Sequence, residues 1–194
     1  MPFISRKFCQ LLLSVFFRFR ITGPLPTCDK PVILAGNHSG FLDGLIIVAA
    51  FPHNFRFAIK EEVLSWPYVG KVVARINPVI VREGREIAAI REAVKTLQRG
   101  ESLCIFPEGK LSRDGELADF KAGVAMIQKL SGAAIVPFTL KGSFEAWGWG
   151  QTQPQLFTPI SICFATPILA GENTSTSTSV TELLKKSVKA GLSA

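Results

Sequence analysis

Histidine occurs twice in this chain of 194 residues, tyrosine once and methionine twice. With His38 and His53 the only imidazoles, a histidine-based metal centre lacks its usual ligands, and none is expected. Cysteine is also sparse. Cys9, Cys28, Cys104 and Cys163 lie far apart with no Cys-x-x-Cys spacing, so neither a zinc site nor a disulfide framework is indicated. A reducing, cytoplasmic setting follows as the expectation, with Cys104 a small buried hydrophobe inside an apolar run. Long apolar runs are missing as well. The best one, Phe8 to Phe17 with a single glutamine, spans about 15 Å as a helix, half of the roughly 30 Å hydrocarbon core of a bilayer. Acidic residues fall short of basic ones, 15 against 22, leaving a net charge of +7. That surplus attracts anions such as lipid headgroups, nucleic acid or acidic carrier proteins. No nucleic-acid recognition motif accompanies it, so no nucleic-acid partner is expected.

The chain is long enough for one domain with a substantial core and short for two. Its organising stretch is Gly36-Asn37-His38-Ser39-Gly40-Phe41-Leu42-Asp43-Gly44. Pro31 to Ala35 before it is short, apolar and branched, as a buried strand is. Leu42 to Phe51 after it fits a helix, placing His38 at the open end of an α/β sheet, where such folds carry their sites. One ring nitrogen of His38 is expected to donate to the Asp43 carboxylate while the other takes a proton from a hydroxyl nucleophile. A structural histidine is the competing reading of that pair taken alone.

Phe106-Pro107-Glu108-Gly109-Lys110 follows a second strand-like run, Ser102 to Ile105, about seventy residues further on. Asn-His-(four residues)-Asp and Phe-Pro-Glu-Gly in this order resemble the glycerolipid acyltransferase family, whose best-known members acylate 1-acyl-glycerol-3-phosphate. Val79-Ile80-Val81-Arg82 looks like the family's second motif and Ile135-Val136-Pro137-Phe138 like its fourth, so the likeness runs from about Pro31 to Gly142. The resemblance implies acyl transfer from a coenzyme A or acyl-carrier-protein thioester to the free hydroxyl of a lysophospholipid, with no other cofactor and no metal. His38 is then the general base and Asp43 its orienting acid. Arg82 is the first choice for holding the acceptor phosphate, since a guanidinium engages two oxygens at once; Lys60 is the second, or else a solvated strand-end lysine. Glu108 is expected to hold basic groups or the glycerol hydroxyl in place, and Gly109 to keep the backbone accessible. Many relatives continue the glutamate motif with threonine and arginine. Here Lys110 and Leu111 stand there, so Lys110 or Arg113 must supply the charge, and lysophosphatidylethanolamine becomes an alternative acceptor to lysophosphatidic acid. A non-enzymatic membrane lipid binder is the alternative of a different class.

The remaining chain reads as an α/β domain with a mixed, mostly parallel sheet flanked by helices, behind an N-terminal amphipathic membrane-associated helix. That helix is expected over residues 3–20, with Arg6, Gln10, Ser14 and Arg18 as a narrow polar stripe and the rest broadly apolar. It would lie in one leaflet's interface on the cytoplasmic face, against an anionic surface; a helix packed on its own domain is the alternative. Expected boundaries are 1–24 for this helix, 25–170 for the acyltransferase domain, and 171–194 for a Ser/Thr-rich linker and short helix. Within the domain, strands are expected near 55–60, 78–81, 133–140 and 160–164, and helices near 71–76, 85–99 and 121–130.

Overall fold

A run of apolar residues with no polar side chain has to be buried on both faces, and β2 (Ile33–Gly36) is such a run, with all four residues buried. In the computed structural model, which describes residues 6–23, 25–26, 29–67, 69–171 and 177–193, β2 lies in mid-sheet between two parallel neighbours, β5 (Ser102–Ile105) and β6 (Ile135–Lys141). Beyond β5 come β3 (Phe55–Lys60) and the edge strand β4 (Val79–Val81), both parallel to it. Beyond β6 lies β7 (Pro159–Phe164), antiparallel to β6, and then β1 (Arg18–Thr22), parallel to β7. The seven strands run in the order β1-β7-β6-β2-β5-β3-β4. This is the mixed, mostly parallel α/β sheet expected from the sequence.

Helices cover both faces. On one face α2 (Asp43–Ala50), apolar nearly all round, is wedged between the sheet and α1 (Arg6–Phe16). Leu34, Phe57, Cys104 and Phe138 of the sheet meet Ile46 and Ile47 of α2 and Cys9 and Leu13 of α1 there. On the other face α4 (Glu86–Gln98), α5 (Gly123–Ser131) and α7 (Ser177–Ser193) bury Ala93, Leu97, Ile127, Leu184 and Val188 against Ile33, Leu103 and Ile135. Two short helices, α3 (Val69–Arg75) and α6 (Ser143–Trp147), follow a 3-10 turn at Glu61–Ser65 and strand β6 respectively. The connection leaving β2 passes over one face through α2 to β3, and the one leaving β5 passes over the other through α5 to β6. The carboxyl ends of β2 and β5 therefore border the point where the chain diverges to opposite sides of the sheet, the place where open α/β sheets hold their ligands.

The N-terminal segment departs from expectation. The helix stops at Phe16, and Arg18–Thr22 is a strand rather than a helical continuation. Arg18, Arg20 and Thr22 are exposed while Phe19 and Ile21 are half-buried, a period of two that five residues inside a helical pattern conceal. What selects the strand is the edge of β7, whose backbone groups are free to pair with it. The rotation of α1 differs too. Gln10, assigned to the polar stripe, points inward and its amide donates to the Ala49 carbonyl at 2.9 Å, one of the carbonyls that the last turn of α2 leaves unpaired. Cys9 and Leu13 pack beside it, so Phe8, Leu11, Val15 and Phe16 stay outside. Residues 1–5 and the greater part of the Ser/Thr tract, 172–176, lie outside the described residues. From Ser177 the chain is helical, and Val180, Leu184 and Val188 belong to the core.

Candidate active site

Three adjacent strands deliver the site. His38 follows β2, Glu108 follows β5 on one side and Ser143 follows β6 on the other. His38 Nδ1 lies 2.7 Å from Asp43 Oδ2. The same oxygen accepts the backbone N–H groups of Ser39 at 2.8 Å and Gly40 at 3.0 Å. Ser143 Oγ donates to the other oxygen, Oδ1. Asp43 is fully buried and opens α2, where the helix N-terminus favours a negative charge. A buried carboxylate with this many donors stays an acceptor, so the His38 proton belongs on Nδ1 and Nε2 keeps its lone pair. The ring is fixed on its flat side by Phe106, stacked at 4.1 Å between centroids with the planes 15° apart, and Phe106 is itself backed edge-on by Phe138. About a quarter of the His38 side chain, 28%, remains exposed.

Glu108 fastens the two loops together. Its Oε1 accepts the His38 backbone N–H at 2.7 Å and its Oε2 the Ala118 N–H at 2.9 Å. Burial pushes its carboxyl above the ordinary range, against the downward pull of those two bonds and of the nearby imidazole. In this structure both carboxylate oxygens hold backbone N–H groups, a task beyond the expected one of holding basic groups or the glycerol hydroxyl. Ser112 N–H, donating to the His38 carbonyl at 2.8 Å, closes the same clasp from the other direction. Replacing Glu108 with glutamine turns one acceptor into a donor that must face an N–H. Such a buried mismatch costs about 1 to 3 kcal/mol, so Tm is expected to drop by several degrees for a chain of this size. A melting curve superimposable on that of the unchanged chain would contradict this anchoring role.

Gly109 has a left-handed backbone, φ 70°, which closes the turn after Glu108 at no steric cost. A Cβ there would stand 3.0 Å from the Lys121 ammonium group, so this turn carries Lys121 against it and Lys110 exposed beside it. Arg113 lies with its guanidinium 5.4 Å from the Trp149 ring centroid, a cation–π distance. Arg82 and Lys60 are held elsewhere. Arg82 Nε pairs with Glu61 at 2.7 Å, both about half-exposed, and Lys60 lies 3.5 Å from Glu62. They stand at the ends of β4 and β3, so Arg82 is three strand spacings from β2, about 14 Å. The structure thus brings His38, Asp43, Glu108 and Gly109 together with Lys110 beside them, and sets Lys60 and Arg82 farther along the same edge of the sheet. Cys104 lies beneath, its thiol pushed well up by burial and by the Asp43 carboxylate, and so is a filler without nucleophilic character.

Sequence reasoning missed three residues. Asn37 exchanges two hydrogen bonds with the backbone of Leu140, amide to carbonyl at 2.9 Å and N–H to side-chain oxygen at 2.8 Å, locking the loop after β2 onto β6. Its place next to His38 was the available signal. Phe106 carries the stacked ring, and its motif position was a signal for importance though not for stacking. Ser143 stands one hundred residues from Asp43, and nothing local in the sequence marks it.

The chain is similar to known proteins in sequence and in fold. A family model described as Acyltransferase matches residues 17–141. The chloroplastic 1-acyl-sn-glycerol-3-phosphate acyltransferase of Arabidopsis thaliana is 28% identical over 146 residues, 73% of this chain and 41% of that protein. The enzyme of the same name from Neisseria meningitidis is 33% identical over 134 residues, 68% of this chain and 52% of its own length. The chain thus spans about half the length of the curated relatives it matches. A crystal structure of the 1-acyl-sn-glycerophosphate acyltransferase of Thermotoga maritima superposes with a TM-score of 0.74 at 25% identity, covering 96% of this chain and 79% of that one. The matched span encloses β1 to β6 and, with them, the histidine, the aspartate and the glutamate that the fold ties together: this chain belongs to the acyltransferase family.

Proposed function

We propose that this chain transfers a fatty acyl group from a coenzyme A or acyl-carrier-protein thioester to the free hydroxyl of a lysophospholipid, first of all 1-acyl-glycerol-3-phosphate, giving phosphatidic acid. The observation that carries this reading is the His38 Nδ1 to Asp43 contact, clasped through Glu108 at a divergence point of the sheet. An alcohol is a poor nucleophile. His38 Nε2 takes its proton as the oxygen attacks the thioester carbonyl, and Asp43 steadies the imidazolium so formed. Collapse of the tetrahedral adduct keeps the new C–O bond, breaks the C–S bond and returns the proton from Nε2 to the departing sulfur. One thiol is released for each ester made, and the enzyme carries no acyl group in between. The names of the relatives favour lysophosphatidic acid as acceptor.

Cations for the acceptor phosphate are at hand on one side of His38. Lys110 and Lys121 flank the turn after Glu108, Lys60 ends β3 and Arg82 follows β4, and Arg82 engages the phosphate by exchanging its exposed Glu61 partner for it. An exposed ion pair of this kind is worth about 1 kcal/mol or less, so the exchange costs little. Leu111 stands where the family resemblance leads to an expected arginine, and this favours keeping lysophosphatidylethanolamine as a second acceptor. The deciding experiment offers the chain acyl-coenzyme A with equal amounts of both lysolipids, follows thiol release and identifies the products by mass spectrometry. Phosphatidic acid is the expected main product; a folded protein that acylates neither lipid would refute the reading.

The substrates are lipids, and the surface of α1 suits a bilayer face. Phe8, Leu11, Val15 and Phe16 are 43 to 61% exposed on its outer side. Phe157, 62% exposed, joins them through its N–H bond to the Phe16 carbonyl. Arg6 and Lys7 at one end and Arg18 and Arg20 just beyond the other are exposed as well, placed to meet phosphates while the apolar side enters the headgroup boundary. Among the described residues no helix is long and apolar enough to cross a membrane. Replacing both Leu11 and Val15 with aspartate is expected to lower binding to phosphatidylglycerol-containing vesicles at least tenfold in a sedimentation assay, since each buried aliphatic side chain contributes about 1.5 to 3 kcal/mol. Unchanged sedimentation would move the lipid contact to another surface.

A further inference from the structure

The two oxygens of Asp43 have separate partners, and only one set of them belongs to the loop that carries His38. Oδ2 receives Nδ1 of His38 and the N–H groups of Ser39 and Gly40. Oδ1 receives the hydroxyl of Ser143, its one donor among the described residues. Asp43 and Ser143 are both 0% exposed, so water does not substitute for that hydroxyl. The approach is built in: a Cβ at Gly40 would collide with the carbonyl and the hydroxyl of Ser143, and glycine alone lets the two loops meet there. The Phe41 N–H donates to the Trp147 carbonyl at 2.9 Å, and Asn37 bonds both ways to Leu140, so the β6–α6 turn is clamped on the loop after β2 on either side of Ser143.

From this geometry we infer that Ser143 is a positioning residue for the proposed base: it holds Oδ1, and so keeps Oδ2 of Asp43 in line with Nδ1 of His38. The inference rests on the acyltransfer reading for its kinetic consequence, and not for its structural one. A carboxylate gripped on one oxygen alone turns about its Cβ–Cγ bond. When it turns, the hydrogen bond that selects the His38 tautomer weakens and the proton is shared between Nδ1 and Nε2. An imidazole carrying its proton on Nε2 has no lone pair there for the acceptor hydroxyl. The serine touches no reacting atom and acts on the reaction only by way of Asp43.

The test uses the full chain labelled with ¹⁵N-histidine. With two histidines in the sequence, His53→Gln assigns the ring signals of His38. The unchanged chain is expected to show a protonated Nδ1 and a bare Nε2. In Ser143→Ala the two His38 nitrogens are expected to move toward each other, as for a mixture of tautomers. In the same variant kcat for acyl transfer from acyl-coenzyme A to lysophosphatidic acid is expected to fall about 10- to 100-fold, the range found when the outer hydrogen-bond partner of a metal-bound histidine is lost, with KM for both substrates within twofold. A variant with the unchanged ring spectrum overturns the inference, whether kcat falls or not. A variant that fails to fold overturns it too, since Ser143 would then serve the fold as a whole. If the unchanged chain transfers no acyl group, the acyltransfer reading fails, and the ring spectrum still decides the role of Ser143.

Discussion

His38→Ala is expected to reduce thiol release in the presence of lysophosphatidic acid by 10² to 10⁴, the range a positioned general base supplies. The fold should survive. The ring is partly exposed and stacks on Phe106, while the bonds that hold the loop use the backbone of residue 38: its N–H to Glu108 and its carbonyl to Ser112. Alanine keeps both. A melting temperature within a few degrees of the unchanged chain, beside the loss of activity, separates the loss of chemistry from loss of structure. Retention of more than a tenth of the activity would remove His38 from the role of base.

Asp43→Asn is expected to cost as much activity and, unlike His38→Ala, to cost stability also. The amide brings two N–H donors into a cavity furnished for an acceptor. Turned one way, it sets its N–H groups against the Ser39 and Gly40 N–H groups and the His38 ring nitrogen; turned the other way, one N–H can donate to the Ser143 hydroxyl, the other has no such acceptor, and the ring loses its charged partner. On the His38 side an amide N–H would demand a bare Nδ1, which moves the ring proton to Nε2 and removes the base. The expected loss is 10³-fold or more in kcat. Asp43→Ala is worse: it leaves three buried donors without an acceptor, at about 1 to 3 kcal/mol for each group. The measurement is a pair of curves for each variant, thiol release and thermal unfolding. An asparagine variant with full activity would mean that the aspartate neither orients nor charges the ring.

The parts of this site legible in the sequence were those set by local spacing. His38 and Asp43 lie five residues apart at the end of an apolar run, and the chain between them is just long enough to turn the helix start back on the imidazole. Glu108 was legible just beyond a second such run, β5, although its task was not: its oxygens went to backbone N–H groups that no spacing rule connects to it. The sheet followed from apolar runs alternating with helical periods, since β2, β5 and β6 have no way to satisfy their surfaces other than by burial. What escaped depends on non-local partners. Arg18–Thr22 becomes a strand because β7 offers an edge, Gln10 turns inward because α2 leaves a carbonyl unpaired, and Ser143 reaches Asp43 because β6 lies beside β2. Each of these is a choice between locally similar alternatives that the folded neighbour makes.

The central step is His38 taking a proton from the acceptor hydroxyl in a direct transfer. Its sharpest test mixes the chain at high concentration with acyl-coenzyme A and measures thiol in the first turnover, with and without lysophosphatidic acid. Release is predicted only with the acceptor present, one thiol for each molecule of phosphatidic acid and none from His38→Ala. A stoichiometric burst of thiol in the absence of acceptor, or steady turnover in His38→Ala, would contradict it.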